Sequence, residues 1–425
     1  MNCILHLSRT DFGGSGLAAV EIHKNMINLG IDSYMIVLRK RTNIKNIFEI
    51  SNSQSIEKLN FFVSKILFYI ISKSKYQYHH SNLLSRGNIR ESISNLTSLK
   101  FDAIISHDCS GFLSFNQIAL LANILKSPVI FYPLDMEPFT GGCHYAWDCK
   151  LYHQNCYRCP AIIGRDKLKI SNKLLLNKQK VLSKLNHGVL AASETLHVQI
   201  KNSMLFKDTY IKKLLLSVDL NTFRSYSKSY SRNKLGLPIN KKIILYGNQS
   251  LKLKRKGSKE FFKSIEKLVV LRPKTIEDSL LVILGKEPVS LKLAIPYLNL
   301  GYLNSLEDLV YAYNSSNFFV CSSIQDSGPI MINQSIASGV PVISFDMGVA
   351  SDLIFTEKTG YKAKPLDIDD LTLGMNQFLS NNEEINRQIS LNCLELSKIK
   401  LDPKKHIFSI MEFIKDLNKY YGYTI

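Results

Sequence analysis

The sequence predicts an α/β protein with two doubly wound parallel-sheet domains that face a central cleft. Short apolar runs alternate with amphipathic helical patterns along the chain, which is typical of parallel strands joined by crossover helices. One polar stretch, residues 220–238, interrupts the alternation, and strands and helices then resume. The length of 425 residues exceeds one ordinary hydrophobic core and fits two domains.

The first domain is predicted over residues 1–216. Its first strand leads through a glycine-rich turn into a helix that ends at Gly30, since glycine readily adopts the left-handed conformation that follows a helix. Two later strands end in polar residues, at the sheet edge where loops bind ligands. The predicted strands are NCILHLS, SYMIVL, FDAIISHD, SPVIFYPLD, HGVLAAS and YIKKLLLSVD, and the first helix is GLAAVEIHKNMINLG.

The second domain is predicted over residues 217–403 and begins with the polar stretch, which is interpreted as a linker. Four apolar runs predict its buried strands, namely KKIILYGN, SLLVILG, NFFVCSS and VPVISFD. Residues 404–425 have the pattern of an amphipathic helix that we expect to pack back on the first domain. Both domains are therefore predicted to be Rossmann-like.

The formal net charge of +19 favours contact with an anionic partner. A solvated lysine-rich surface and a surface facing anionic phospholipid are both consistent with it. The cations form no arginine-rich tail, and we expect no nucleic acid partner. The N-terminal residues lack the charged region of a signal peptide, and the longest apolar run, residues 61–71, is too short to cross a bilayer. We therefore expect a cytoplasmic protein.

Three segments have the character of anion sites. The turn DFGGSG precedes a helix whose free amides suit phosphate, although a simple tight turn is an equally good interpretation. LKRKG places Lys254, Arg255 and Lys256 directly after a strand, where cations can bind phosphate. In CSSIQDSGPIMINQSIASG, a buried strand ends in small polar residues and Pro329 lies near the start of a new helix.

These segments, together with GYLNSLEDL and SVDLNTF, resemble the retaining GT-B glycosyltransferases of family 4. LDMEPFTGGCHYAWDC, followed by CYRCP, is similar to a subset of that family that acts in bacterial surface polysaccharide synthesis. The resemblance extends over nearly the whole chain. It implies the GT-B fold and the transfer, with retention, of a hexose-type sugar from a nucleotide diphosphate-sugar to a lipid-linked or oligosaccharide acceptor. O-antigen, capsule or exopolysaccharide synthesis would be the setting, at the anionic inner face of the plasma membrane.

The resemblance also implies a donor site. Lys256 would hold the diphosphate with Arg255 close by, and backbone groups at the start of the helix after Pro329 would surround the sugar and phosphate. Asp326 and Gln334 take the positions of a pair of family glutamates, near the donor sugar and the ribose. The donor-binding set is Gly13, Gly14, Gly16, Asp135, Arg255, Lys256, Tyr302, Leu303, Asp326, Ser327, Gly328, Pro329, Ile330 and Gln334, and the catalytic set is Lys256, Asp326 and His107.

The chain departs from the family at three of these positions. Aspartate and glutamine replace the paired glutamates at Asp326 and Gln334, and Leu134 takes the place of a histidine that contacts the donor sugar. His107 is then the histidine expected to face the cleft, with a structural role as the alternative. These departures favour a different donor sugar, and they leave a catalytically silent, polyanion-binding scaffold as another function. A sugar-nucleotide epimerase is a further alternative for the same architecture.

The implied mechanism needs no protein nucleophile and no metal. Cations and helix amides stabilise the departing diphosphate, and a phosphate oxygen accepts the proton of the acceptor hydroxyl. The donor is a nucleotide diphosphate-sugar, which is a substrate, and no cofactor is required for catalysis.

Four of the eight cysteines, Cys143, Cys149, Cys156 and Cys159, lie within seventeen residues with the spacing C-x5-C-x6-C-x2-C. Four thiolates could bind a structural zinc that holds a polar loop in place. Redox-labile disulfides and uncoordinated buried thiols are the alternatives, and the absence of an export signal disfavours disulfides.

Residues 59–75 form a helical pattern that is apolar on more than one face, with lysines at intervals. A core helix is the default interpretation. A helix that lies in a membrane interface is the alternative, which the net charge and the implied lipid-linked acceptor favour.

Overall fold

The computed structural model describes residues 3–50, 62–63, 66–78, 89, 93, 96–248, 250–286 and 293–422. The chain divides into two compact units. The first comprises Met1–Ala192, Leu196–Leu214 and Lys404–Ile425, and the second comprises Ser193–Thr195 and Leu215–Pro403. The domain boundaries predicted from the sequence, after residue 216 and after residue 403, stay predictions.

The first unit is built on a seven-stranded sheet in the order β3-β2-β1-β4-β5-β6-β7, with every neighbouring pair parallel. Its strands are β1 (Cys3–Thr10), β2 (Asp32–Arg39), β3 (Ile47–Glu49), β4 (Ala103–Ser106), β5 (Val129–Phe131), β6 (His187–Ala191) and β7 (Tyr210–Lys213). Its helices include α1 (Gly13–Asn28), α2 (Phe115–Leu125), α3 (Ile170–Leu182), α4 (Glu194–Lys201) and, at the end of the chain, α13 (Pro403–Tyr420).

The second unit has a six-stranded sheet in the order β10-β9-β8-β11-β12-β13, again parallel throughout. Its strands are β8 (Lys242–Gly247), β9 (Ser279–Leu284), β10 (Tyr297–Gly301), β11 (Phe318–Cys321), β12 (Val342–Phe345) and β13 (Gly360–Ala363). Its helices are α5 (Lys228–Lys234), α6 (Ser258–Leu271), α7 (Pro273–Glu277), α8 (Leu306–Ser315), α9 (Ile330–Ala337), α10 (Ala350–Leu353), α11 (Ile368–Ser380) and α12 (Glu383–Lys400).

The apolar runs that predicted strands form the centres of both sheets. Strands β5 and β6 are buried along their whole length, as are β9 and β11. Parallel strands with helices on both faces have no solvent side, so their sequences are continuously apolar rather than alternating. The predicted α/β class with two doubly wound parallel sheets is confirmed.

Three strands and one helix lie outside the sequence prediction. The strands β3, β10 and β13 are short and extend the sheets at their edges. The interpretation of residues 220–238 as a linker without regular structure was wrong, because α5 lies within it. Arg232 of α5 is buried, and its guanidinium donates to the carbonyl oxygens of Ser315 (2.9 Å) and Ile239.

Each sheet reverses its strand order at one point. In the first unit β1 and β4 are neighbours, and in the second unit β8 and β11 are neighbours, although other strands separate them along the chain. Loops that follow two such strands diverge to opposite faces of the sheet and leave a crevice at the carboxyl edge. The segments after β1, β4, β8 and β11 are therefore the places to look for a site.

Within the described ranges, no helix has the length and apolar character needed to span a membrane. Residues 59–61 and 64–65 of the helical pattern predicted over 59–75 lie outside the described residues. Residues 66–71 are helical, but the helix ends before the predicted residue 75, because Ser72 forms a β-bridge and Ser74–Tyr76 a 3-10 turn.

Arg232→Ala should lower the free energy of unfolding by about 1–3 kcal/mol, because buried carbonyl oxygens lose their charged donor. Urea denaturation followed by circular dichroism measures the change. Asn233→Ala, an exposed position on the same helix, is the matched control and should stay within about 0.5 kcal/mol of wild type. Equal effects of the two substitutions would contradict an anchoring role for Arg232.

Candidate active site

The second unit brings two loops together where its strand order reverses. One is the short 3-10 turn Lys254–Lys256 that follows β8, and the other is the segment 322–328 that follows β11. The backbone amide of Ile324 donates to the carbonyl oxygen of Arg255 at 2.8 Å. The two loops therefore form one continuous surface at the edge of the sheet.

Gly257 makes this close approach possible. It has a positive φ of 67°, and a Cβ atom there would lie 1.7 Å from the carbonyl oxygen of Ser322. The Ser322 hydroxyl donates to the carbonyl oxygens of Lys256 (3.1 Å) and Gly257 (2.9 Å). Any side chain at residue 257 would push the loops apart, which explains the glycine after the cationic run.

Asp326 joins the cations of the first loop to the second loop. Its Oδ2 accepts from Arg255 Nη1 at 2.7 Å and from Lys256 Nζ at 2.5 Å. Its Oδ1 accepts from the backbone amides of Ser327 (2.9 Å) and Gly328 (3.4 Å). All three charged side chains are largely buried. Two cations thus share one carboxylate, and the cluster keeps an excess of positive charge.

The charges around Asp326 fix its ionisation. Burial alone would raise the pKa of this carboxyl group, but the charges of Lys256 and Arg255 outweigh burial and lower the pKa to about 2. The carboxylate is therefore ionised at neutral pH and orients both cations.

Helix α9 begins directly after this cluster. Pro329 is its N-cap and makes no side-chain capping hydrogen bond, and the Ile332 amide donates to the Pro329 carbonyl oxygen at 3.0 Å. The amides of Ile330 and Met331, at the very start of the helix, have no intrahelical acceptors. The helix dipole adds partial positive charge at the same end. Ser327, Gly328 and Pro329 connect Asp326 to Ile330, the first residue of the helix. The arrangement is suited to binding an anion.

Other predicted donor residues of this unit lie around the same sheet edge. Gln334 is on α9, and its Oε1 accepts from the Tyr313 hydroxyl at 3.2 Å. Tyr302 follows β10 and is exposed, with the Lys286 ammonium 5.1 Å from its ring centroid. Leu303 packs partly against the core.

In the first unit, the glycine turn begins α1. Gly13 and Gly14 are exposed, whereas Gly16 is buried, and a Cβ atom on Gly16 would lie 2.5 Å from the carbonyl oxygen of Thr10. Gly16 therefore lets the helix pack closely on the end of β1. This packing role accounts for Gly16, and the two exposed glycines are the accessible part of the turn.

Arg9, Ser15 and Asp108, which the sequence analysis did not single out, connect the loops after β1 and β4. The Ser15 hydroxyl donates to Asp108 Oδ2 at 3.2 Å, and Arg9 Nη2 lies 3.9 Å from the same oxygen. The sequence held a signal for two of them, because Asp108 comes directly after a predicted strand and Ser15 lies in the glycine-rich turn. These residues form the polar edge of the first unit.

His107 lies in the core of the first unit. Its Nε2 is 3.0 Å from His6 Nδ1, and the two rings stack with centroids 5.3 Å apart. Burial, with a smaller contribution from His406, lowers the pKa of His107 to about 3, so the ring is neutral at neutral pH. This environment favours the structural role that was the alternative for His107.

Asp135 follows β5 and forms a buried pair with His144. Asp135 Oδ2 lies 2.7 Å from His144 Nδ1, and Asp135 Oδ1 accepts from the Glu137 amide at 2.9 Å. Burial opposes both charges, but their mutual attraction lowers the pKa of Asp135 and raises that of His144. The pair fixes the end of β5 to the cysteine-rich loop.

A second buried ion pair supports the same loop. Lys178 Nζ of α3 lies 2.8 Å from Glu137 Oε1, and it also donates to the carbonyl oxygens of Glu137 (2.5 Å) and Thr140 (3.1 Å). A buried pair of this kind is tolerated only when its remaining donors and acceptors are satisfied. The loop is therefore held by specific polar contacts.

The four clustered cysteines are reduced thiols in this loop. Cys143, Cys156 and Cys159 are buried and Cys149 is half-buried. Burial, and then the nearness of other thiols, raises the pKa of Cys156 to about 12, and the same causes raise the pKa of Cys143 well above its usual range. Among the described residues, which include all four, no three His, Cys, Asp or Glu side chains are arranged to hold a metal ion. The structural zinc stays a prediction.

Residues 227–392, most of the second unit, match the profile of the family described as glycosyl transferases group 1. No curated protein sequence matches the chain significantly. Sucrose-phosphate synthase from Thermosynechococcus elongatus is similar in structure, with 13% identity, a TM-score of 0.66 and coverage of 99% of this chain and 100% of that chain.

Two further solved structures are similar over comparable lengths. HepE from Anabaena, in complex with UDP and glucose, has 14% identity and a TM-score of 0.64 over 98% of this chain and 100% of that chain. WaaG, a glycosyltransferase involved in lipopolysaccharide biosynthesis, has 12% identity and a TM-score of 0.64 over 97% and 99%. The chain has the GT-B fold. With the family match, these findings support a GT-B glycosyltransferase of the group 1 type.

Asp326→Asn should lower the free energy of unfolding at pH 7, and its difference from wild type should shrink as the pH falls from about 4 towards 2. Because the pKa of Asp326 is lowered from 3.8 to about 2, the carboxylate stabilises the folded state above its unfolded pKa. That contribution, on the order of 2 kcal/mol, is lost as the folded protein takes up the proton. Urea denaturation at several pH values measures it.

Asp208→Asn is the control for this series, since the Asp208 side chain is 89% exposed. The free energy of unfolding of this variant should depend on pH in the same way as that of wild type. If the difference in unfolding free energy between Asp326→Asn and wild type is the same at pH 7 as at about pH 2.5, where the carboxylate takes up part of its proton, the ionised bridge is contradicted.

Proposed function

We propose that this protein is a retaining family 4 hexosyltransferase that transfers a sugar from a nucleotide diphosphate-sugar to a lipid-linked or oligosaccharide glycan acceptor in bacterial surface polysaccharide synthesis. The observation that carries the proposal is the cluster of Arg255, Lys256 and Asp326 beside the first turn of α9. It supplies what a departing diphosphate needs, namely fixed positive charge beside the amino-terminal end of a helix dipole.

In the proposed reaction, the bond between the anomeric carbon and the diphosphate oxygen breaks and negative charge develops on the leaving diphosphate. Lys256 and Arg255 stabilise this charge, and because Asp326 already orients them, little reorganisation is needed during the reaction. The acceptor hydroxyl attacks from the side of the departing group, and a phosphate oxygen takes its proton. The configuration at the anomeric carbon is thereby retained.

The remaining donor contacts rest on the sequence resemblance. The proposal places Gly13, Gly14 and Gly16 at the diphosphate and the segment 327–330 at the sugar and phosphate. It places Asp326 near the sugar, Gln334 at the ribose, Tyr302 and Leu303 at the base, and Asp135 among the donor-binding residues. HepE was solved with UDP and with UDP-glucose, which supports starting the search for a donor with uridine diphosphate-sugars. WaaG is involved in lipopolysaccharide biosynthesis, which supports the surface-polysaccharide setting.

The proposed function is tested by incubating the full chain with UDP-, GDP- and ADP-sugars and following nucleoside diphosphate release, with and without glycan acceptors. NMR of the product bond tests retention. Conversion of a sugar nucleotide to an epimer would support the epimerase instead. Binding of polyanions without turnover of any donor would support the silent scaffold.

Lys256→Ala should reduce turnover by about 10²-fold or more, because one group that stabilises the developing charge is lost. Lys263→Ala, an exposed position on α6, is the matched control and should keep wild-type turnover. Steady-state kinetics with the donor found above measures both. Unchanged turnover in Lys256→Ala would remove this residue from the mechanism.

A further inference from the structure

The helical segment 66–71 and the residues just before it expose a row of large apolar side chains. Only one face of this segment is packed, where Phe68 is buried and its ring lies 5.6 Å from that of Tyr78. Contiguous exposed apolar groups on a globular protein mark an interaction surface, whereas single ones do not. The exposed side chains are Phe62, Val63, Ile66, Leu67, Tyr69 and Ile70, with exposed fractions of 45–69%.

A second exposed segment lies directly beside this row. Ser72 forms an antiparallel β-bridge with Ile162, and the Lys73 amide donates to the carbonyl oxygen of Ala161 at 2.8 Å. Ile163 and Leu168, which follow, are 61% and 73% exposed. The apolar row therefore continues from one segment of the chain onto another.

Cations surround these apolar groups. Among the described residues of 62–78 and 157–176, the one acidic side chain is that of Asp166. It is buried and accepts from the amides of Ile170 and Ser171, both at 2.8 Å, so it does not offset the surface charge. The exposed cations are Lys73, Lys75, Arg158, Arg165, Lys167, Lys169 and Lys173.

We propose that residues 62–63, 66–75 and 157–173 form a basic apolar surface that docks on an anionic phospholipid bilayer. Leu, Ile, Phe and Tyr side chains can enter the boundary between headgroups and acyl chains while the surrounding lysines and arginines contact lipid phosphates. A surface with exposed cations and without exposed carboxylates among its described residues is complementary to a uniformly anionic layer. The net charge of +19 adds long-range attraction.

The basic apolar surface is connected to the cysteine-rich loop. The His144 amide donates to the carbonyl oxygen of Tyr76 at 3.0 Å, and Trp147 Nε1 donates to that of Lys75 at 2.9 Å. Docking would therefore hold the loop at the lipid surface, where a lipid-linked acceptor is presented. That consequence rests on the proposed function, whereas lipid binding itself can be measured without any donor or acceptor.

The test is co-sedimentation of the full chain with vesicles of phosphatidylcholine alone and of phosphatidylcholine with phosphatidylglycerol. We expect binding to the anionic vesicles that weakens with added salt. Leu67→Asn with Ile70→Asn should weaken binding by about tenfold or more, since both side chains leave water on docking. Lys167→Gln with Lys173→Gln should weaken it by about fivefold per lysine.

Matched controls come from exposed positions of the second unit. Val270→Asn with Leu373→Asn, and Lys358→Gln with Lys400→Gln, should bind vesicles as wild type does. Circular dichroism checks that all variants fold. Equal binding to both kinds of vesicle, or losses as large in the controls as in the test variants, would overturn the proposal.

A stable complex between copies of the chain that the test variants abolish, with no vesicle binding, would identify a protein interface and also overturn the proposal. Donor turnover with a soluble acceptor separates this inference from the proposed function. If the wild-type protein turns over a donor but does not bind lipid, the proposed membrane surface is rejected and the proposed function is kept. If the wild-type protein binds lipid but turns over no donor, the proposed function is rejected and the membrane surface is kept.

Discussion

The bridge from Asp326 to Arg255 and Lys256 is the interaction on which the candidate site depends. It joins the loops after β8 and β11, and it can form only because Gly257 lets their backbones approach. The bridge leaves an excess of positive charge, because one carboxylate is shared by two cations. It also holds both cations in place before any ligand arrives. Preorganised charge of this kind is more effective than charge that must be gathered during a reaction.

In the first unit, ion pairs hold the loop that follows β5 in place. The long loop after β5 buries apolar side chains such as Met136 and Phe139, and the pairs Asp135–His144 and Glu137–Lys178 add the polar contacts that fix it. Each pair has further backbone partners, which offsets part of the cost of taking its charges out of water. The four clustered cysteines lie in the loop that these pairs fix.

The sequence was informative where burial is continuous and uninformative where contacts depend on topology. The runs IILYG and LLVIL could be recognised as strands because both faces of β8 and β9 are covered. Short edge strands such as β3 have mostly exposed residues and no comparable pattern. The partnership of Lys256 with Asp326 joins residues seventy positions apart and needs the adjacency of β8 and β11. His107 shows the converse, since position at a strand end does not reveal whether a ring faces a ligand or another histidine.

If residue 326 takes the position of a family glutamate, as the sequence resemblance implies, the aspartate there has a physical consequence for the proposed reaction. The shorter side chain keeps its carboxylate against Arg255 and Lys256, so a diphosphate that binds there competes with Asp326 for the same donors. A bound donor carries less negative charge than the diphosphate that departs from it. The cations therefore gain more attraction to the leaving group than to the intact donor. Interactions that strengthen in this way lower the barrier rather than only tighten binding, so a competing carboxylate at this position weakens donor affinity more than it weakens turnover.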